Sequence, residues 1–364
     1  MSYDARHVSS HRAPGDPIRV VTLGGGHGQS TLLRALARLA CDVAAVVSIA
    51  DDGGCSGKLR DELGMAPPGD LRRCLTSLAG DRLLAARFEE RLSGGREDGR
   101  SVGNLALAHA YVELGSLQAA VDWAARLLEC RGRVLPAAET AGTLAVVDLS
   151  GDLVAGESEV ERTATEVLVA NVVGVDHANP HAVRAVEGAD VVFFGPGSFF
   201  GSTLAAVTTG ELAEAIARSG ARLVFVENVA PEVGSVPHGD DAVRVLRDHL
   251  VIKSGGEQVR VDVLRHQDGG PGEIQPRDDG SVLILAPIAQ PGTAVHDEAQ
   301  LAAAIARHVL AEDDAPLRPR PRTLRPPGDH QGARAELERR VHEARARLAE
   351  IAPRSVARQS GKAQ

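Results

Sequence analysis

Aromatic residues are scarce in this chain, at 2% of 364 residues. That excludes a stacking platform for single-stranded nucleic acid, which needs rings for bases to lie on. Cysteines are few and scattered. Cys41, Cys55, Cys74 and Cys130 form no CxxC pair, so neither a zinc knuckle nor a redox motif is expected. They read as free, buried thiols, with Cys55 set apart by the acidic glycine loop around it. No apolar run reaches the ~20 residues of a membrane-spanning helix. The opening MSYDARHVSSHRAPGDP lacks the apolar centre of a signal peptide. These absences predict a cytoplasmic protein with no membrane insertion. Also missing are a GxSxG nucleophile elbow, an HExxH metal pair and the lysine of a P-loop.

Hydrophobic residues make up 43% of the chain, mostly Ala, Val and Leu, enough for a substantial core. The net charge is −9, but residues 315–364 hold 12 Lys and Arg against 5 Asp and Glu, so the body carries −16. An acidic body argues against a nucleic-acid channel. The basic tail suits an acidic partner, anionic lipid or nucleic acid, the chain's own body, or plain solvation.

Residues 1–16 read as a disordered N-terminus and 17–311 as one domain. A Pro/Arg-rich linker is expected over 312–332, then a short helix and tail over 333–364. The seam Leu337, Val341, Ala344, Leu348 and Ile351 is too short for a coiled coil and fits docking on the body or in a homo-oligomer. Within the domain, strand-like runs at 18–23, 43–50, 144–149, 190–194, 222–228 and 281–286 alternate with helical patterns at 30–40, 70–79, 82–92, 103–114 and 117–129. This predicts an α/β fold with a mostly parallel sheet and helices on both faces. Asn179-Pro180 marks a helix start, with the helix running to about Gly188. The Gly-, Pro- and Asp-rich stretch from Asp268 to Gly280 reads as a loop.

Four constellations carry chemistry. In GGGHGQST, Gly25, Gly26 and Gly28 allow close backbone approach to an anion, and Ser30 sits where a helix offers free N–H groups. His27 is placed to donate to that anion. The dinucleotide fingerprint fails, because Gln29 or Thr31 stands where its third glycine belongs. A second apolar run ends on Asp51 and Asp52, followed by Gly53 and Ser56. Adjacent acids at a strand end suit Mg²⁺, which takes one or two carboxylates plus phosphate oxygens, or else sugar hydroxyls. The same spacing also suits one acid on a ribose in a dinucleotide fold. PPGD brings Gly69 and Asp70, the latter a good N-cap for a helix over 71–79. Finally, Gly195, Pro196, Gly197 and Ser198 repeat the strand-to-glycine-loop logic, with Ser202 and Thr203 beside another helix start. Asn228, at the end of the 222–228 strand, reaches the same sheet edge. Each loop can also be a plain structural turn.

These motifs, in this order, resemble the YvcK branch of the YvcK/CofD-like family over roughly residues 18–310. The resemblance rests on GGGHG, ADDGGCSGKLRDELG, PPGDLRRCL, VGNLALA, LPAAE, GESEV, NPHAV and ADVVFFGPGSFFGST. The family's TQPGET-like segment reads NVAPEVGSV here, where Asn228, Glu232 and Gly234 align but the proline and threonine do not. The resemblance implies a Rossmann-like three-layer fold in a cytoplasmic protein that binds UDP-N-acetylglucosamine or UDP-glucose. It further implies a link to cell shape, cell-wall precursor supply and gluconeogenic growth, without an assigned reaction. Asn104 and Asn228 would help place base or sugar. The sister CofD branch transfers a phospholactyl group to a deazaflavin with Mg²⁺, and its motifs differ from those here. An NAD enzyme is disfavoured by the failed fingerprint.

Overall fold

A computed structural model describes residues 16–311, except 96, 149, 164–166, 233–235 and 254–258. The expectations for the N-terminus before residue 16, the linker, the terminal helix, the basic tail and Gly234 therefore lie outside the described residues.

The chain opens with β1 (Ile18–Gly24), α1 (Gly26–Leu36) and β2 (Cys41–Val47). Five helices follow: α2 (Gly54–Leu63), α3 (Gly69–Leu78), α4 (Arg82–Glu89), α5 (Val102–Leu114) and α6 (Leu117–Leu127). Then come β3 (Arg133–Pro136), β4 (Thr143–Asp148), β5 (Leu153–Ala155), α7 (Glu157–Thr163), β6 (Val167–Val173), α8 (Pro180–Glu187) and β7 (Val191–Phe194). A π-helical turn, Phe199–Leu204, leads into α9 (Ala205–Thr208) and α10 (Leu212–Arg218). The domain closes with β8 (Arg222–Val226), α11 (Asp240–Lys253), β9 (Asp262–His266), β10 (Glu273–Pro276), β11 (Val282–Ala286) and α12 (Glu298–His308).

Eight strands form one sheet in the order β10-β11-β9-β8-β7-β1-β2-β3. Every pairing is parallel except β10 with β11. The fold is thus an α/β Rossmann-like sandwich. The central strands are buried on both faces, which explains their unbroken Val, Ile, Leu and Phe runs. The order reverses at β1, whose neighbours are β2 and β7, so the chain proceeds from β1 and from β7 toward opposite ends of the sheet and their carboxyl ends form a switch point.

Two expectations are corrected. The 144–149 run does not join the parallel sheet. Its strand β4 sits between β5 and β6 in a separate three-stranded antiparallel sheet. Ala145, Val147, Leu168, Val169 and Val173 build a small second core there, so β4 is buried on both faces and its run looks like a central parallel strand. The Asp268–Gly280 stretch also contains a strand, the edge strand β10, whose Pro276 is tolerated at the sheet margin.

The Asn-Pro helix start is as expected. Asn179 Oδ1 accepts from His181 N at 2.9 Å, and Pro180 is the first helical residue of α8. Asn179 is also buried, and its Nδ2 donates to Gln118 Oε1 at 2.6 Å. Asn179→Ala removes the cap and strands a buried acceptor. It is expected to cost about 1–3 kcal/mol in urea unfolding. A loss below a few tenths would contradict that role.

Candidate ligand site at the strand switch point

Gln29 shows why the broken fingerprint still builds a glycine loop. It is buried, and its Nε2 donates to Thr22 Oγ1 at 3.0 Å and to the Val46 carbonyl at 3.1 Å, while Cys74 Sγ donates to its Oε1. One side chain thereby ties α1 to β1, β2 and α3, doing by hydrogen bonds what a third glycine does by close packing. α1 also begins four residues earlier than the pattern suggested, so Gly26, His27, Gly28 and Ser30 form its first turn. Ser30 Oγ turns back on the Gly26 carbonyl at 2.9 Å.

The β7 loop meets this turn directly. A methyl group on Gly28 would lie 2.6 Å from Gly197 N and closer still to the Pro196 carbonyl. Gly195 and Gly197 have φ of 71° and 134°, which only glycine adopts readily. Asn228 clamps the loop from β8: its Oδ1 accepts from Gly197 N and its Nδ2 donates to the Gly197 carbonyl, both at 2.9 Å. Ser198 Oγ caps the π-helical turn by accepting from Gly201 N at 3.1 Å. The start of α1, which no side chain caps, thus lies against the β7 loop at the switch point, whereas the first N–H groups of the π-helical turn are taken by Glu232 and Ser198.

The acids enter from the other side. Asp51 Oδ1 accepts from Gly53 N at 2.9 Å, and its carboxyl also bonds the Ser56 hydroxyl. A methyl on Gly69 would crowd Ser56 Oγ and sit 3.5 Å from Asp51 Oδ2. Asp70 is not the cap of α3, which begins at Gly69 behind Pro68. It lies inside the first turn, where Arg73 donates to it at 2.7 Å. Its carboxylate presses on Gly25, where a methyl would be 3.3 Å from Asp70 Cγ and 3.2 Å from Ser202 Oγ. Gly25, Asp70 and Ser202 thus meet at one point. Partial desolvation and the Arg73 cation hold the His27 imidazole below its ordinary value, leaving it neutral near pH 7.

Two candidate residues are occupied elsewhere. Asp52 is exposed, and its Oδ1 accepts from Ser158 N at 3.1 Å and Ser158 Oγ at 2.6 Å, which binds it to the start of α7. Asn104 is buried, accepts from Arg72 at 2.9 Å and donates to Cys55 Sγ at 3.4 Å. It thereby links α3 and α2.

The sequence reading passed over Glu157 and Glu161, although GESEV lies among the motifs of the resemblance. The small antiparallel sheet delivers α7 to the site, and a methyl on Gly201 would be 2.7 Å from Glu157 Cδ. Burial, then the charges of Asp51, Glu161, Asp70 and Asp52, push the Glu157 carboxyl up to about 8. Burial likewise raises Asp51, with Asp70 adding to it. Glu161 accepts from Ser198 Oγ at 2.6 Å. Glu232 accepts from Phe199 N and Asn228 Nδ2, both at 3.0 Å, and burial carries it up to about 7.

A crowded set of carboxylates that raise one another is a donor set that a hard cation relieves. Asp51 and Asp70 fit Mg²⁺, which needs only one or two carboxylates beside phosphate and water. Asp52 fits poorly, since Ser158 holds it. Among the described residues, no group of three or more His, Cys, Asp and Glu has the spacing of a metal cage. No described helix is long and apolar enough to cross a membrane.

Comparison with known proteins gives a consistent picture. The family model described as 2-phospho-L-lactate transferase CofD matches residues 20–267. A Mycobacterium leprae protein named putative gluconeogenesis factor is 36% identical over 314 residues, covering 80% of this chain and 86% of that one. A Nostoc protein of the same name is 36% identical over 231 residues, covering 63% of this chain and only 50% of its own length. A crystal structure of a UPF0052 family member from Bacillus halodurans superposes with a TM-score of 0.70 at 28% identity, covering 80% of this chain and 99% of that one.

Proposed function

The chain belongs to the CofD family, and from that premise we propose that it is a regulatory protein that binds a UDP-sugar, UDP-N-acetylglucosamine or UDP-glucose. In this reading it acts in the cytoplasm on cell shape and cell-wall precursor supply during gluconeogenic growth. The observation that carries the proposal is the contact of Gly28 with Pro196 and Gly197, which brings the glycine loops after β1 and β7 together at the switch point. In this reading the first N–H groups of α1, which no side chain caps, hold the diphosphate. Asp51 and Asp70 face the sugar, or a Mg²⁺ ion that would neutralise diphosphate charge. Arg73, already paired with Asp70, supplies the nearest cation to balance them.

Calorimetry with UDP-N-acetylglucosamine, with and without Mg²⁺, tests the reading. Binding in at least one condition is expected, and none in either overturns it. A second reading, a Mg²⁺-dependent transferase of a phospholactyl group to a deazaflavin, is favoured by Glu157, a carboxyl that stays protonated at neutral pH and can donate a proton. Metal-dependent binding of a guanosine diphosphate or a deazaflavin would support that alternative.

The two aspartates separate by mutation. Asp51→Asn is expected to weaken the apparent Mg²⁺ affinity of the ligand complex by about tenfold or more. Asp52→Asn should leave it within about threefold and change stability little, since an amide oxygen still accepts from Ser158 N and Oγ. Equal effects on Mg²⁺ would reject this division of roles.

A further inference from the structure

We propose that the outer face of α5 is the docking site for a segment of this same chain, residues 333–351, which lies across it through an apolar seam. The inference concerns a surface and does not depend on the ligand reading above.

α5 lies at the surface with the composition of a core helix. From Val102 to Val112 it carries no charged side chain. Its inner face, with Asn104, Leu107, Ala108 and Ala110, is buried. Its outer face runs Val102, Leu105, His109 and Val112, at spacings of three, four and three. Val102 and Leu105 are half-buried, His109 is exposed, and Val112 is 59% exposed. A surface helix ordinarily turns charged residues toward water, and one that presents apolar residues on its outer side as well is a helix with something to cover it.

Size, reach and charge together select the occupant. One face of this 13-residue helix, about 20 Å long and about 10 Å wide, offers roughly 200 Å². A stable dimer needs about 800 Å² from each partner, so a second copy is a poor match. A tethered segment needs far less, because its linker holds it at an effective concentration of up to about millimolar. The chain supplies such a segment outside the described residues. Leu337, Val341, Ala344, Leu348 and Ile351 recur at spacings of four, three, four and three, the counterpart of the stripe on α5. The linker is long enough. The described chain ends after α12, which packs on α1; α1 packs on α3, and α3 on α4 and α5. Helices pack about 8–10 Å apart, so α5 is roughly 30–40 Å away. Residues 312–332, at about 3.1 Å each, reach about 65 Å. Charge favours the encounter, since residues 315–364 carry +7 and the body −16.

Amide hydrogen exchange on the full chain, read by mass spectrometry over peptides from 333–351, tests the inference. These amides are expected to exchange at least about tenfold more slowly in the parent than in Val112→Asp or His109→Glu. Both substitutions fall at exposed positions, so either one decides the matter if the other fails to fold. Leu348→Asp, in the seam itself, should release the segment to the same extent. Ile274→Asp is the control: Ile274 is exposed on β10, at the opposite edge of the sheet from β3, and its loss should leave the rates unchanged. Docking within one chain also makes the parent rates independent of protein concentration. Equal rates in the parent and both α5 variants would overturn the proposal. Protection that grows over a hundredfold rise in concentration would give the face to a second copy and overturn it as well.

Discussion

Gly28→Ala is expected to lower affinity for the proposed UDP-sugar by about a hundredfold or more. Propensity alone points the other way, since alanine in a helical turn is favoured over glycine by about 0.5–1 kcal/mol. Contact decides the sign. The added methyl would lie 2.6 Å from Gly197 N and nearer to the Pro196 carbonyl, and both are backbone atoms that no rotamer change can move. The β7 loop must shift as a unit, and overpacking of this kind costs about 1–3 kcal/mol. Its shift also pulls Gly197 from Asn228. Gly24→Ala is the matched control, because its methyl would rest 3.7 Å from Gln29 Cβ, an ordinary contact. Urea unfolding and calorimetry on both variants give the comparison. Near-normal ligand affinity in Gly28→Ala would mean that the two loops do not share a ligand.

Glu157→Gln is expected to make the protein more stable in alkali and to flatten the pH dependence of ligand binding. The Glu157 carboxyl titrates near 8 in the folded chain, above its ordinary 4.5, because burial and four neighbouring acids oppose its charge. The folded state therefore holds the proton more tightly than the unfolded chain does. Its contribution to stability is complete below the ordinary value. It declines as pH rises from there and is gone above the folded value. Glutamine keeps the neutral form at every pH, so the variant should gain roughly 1–3 kcal/mol over the parent near pH 9 and little near pH 4. An anionic diphosphate adds to the same repulsion. Without Mg²⁺, its affinity for the parent protein should fall as pH rises through about 8, and Glu157→Gln should remove that fall. A pH profile unchanged by the substitution would place the diphosphate away from α7.

Much of the site was legible because its grammar is local. Ile18–Gly24 followed by GGHGQS, and Val191–Phe194 followed by GPGS, each run from buried strand through glycine to helix start, and the switch point brings both together. The acidic side was read less well, for a physical reason. Which acids meet depends on a sheet that local pattern does not specify. The run in β4 is buried on both faces, one against its own small core, so it mimics a central parallel strand. Once β4 is misplaced, nothing predicts that α7 carries Glu157 to Gly201. Asp70 and Asn104 have partners that local pattern does not show. Asp70 looks like a cap but lies inside the first turn and pairs with Arg73, and Asn104 bonds Arg72 and Cys55. The short edge strand β10 lacks the β-branched run that marks a strand, and its single isoleucine sits among polar residues.

The contact between Gly28 and Pro196 also fixes when in the chain's life a ligand can be recognised. Helices α2 to α6 and the whole antiparallel sheet lie between these residues in sequence. A chain emerging from the ribosome carries the complete first loop long before β7 has been made, and during that interval it has half a site. Recognition must await the long-range pairing of β1 with β7, the slow kind of event in folding. Conversely, a ligand held by both loops is bound only by chains in which that pairing exists. By mass action it then stabilises the assembled domain, by about 2.7 kcal/mol at a hundredfold excess over its dissociation constant. If the proposed UDP-sugar is that ligand, its supply would thus also set what fraction of the copies stays assembled.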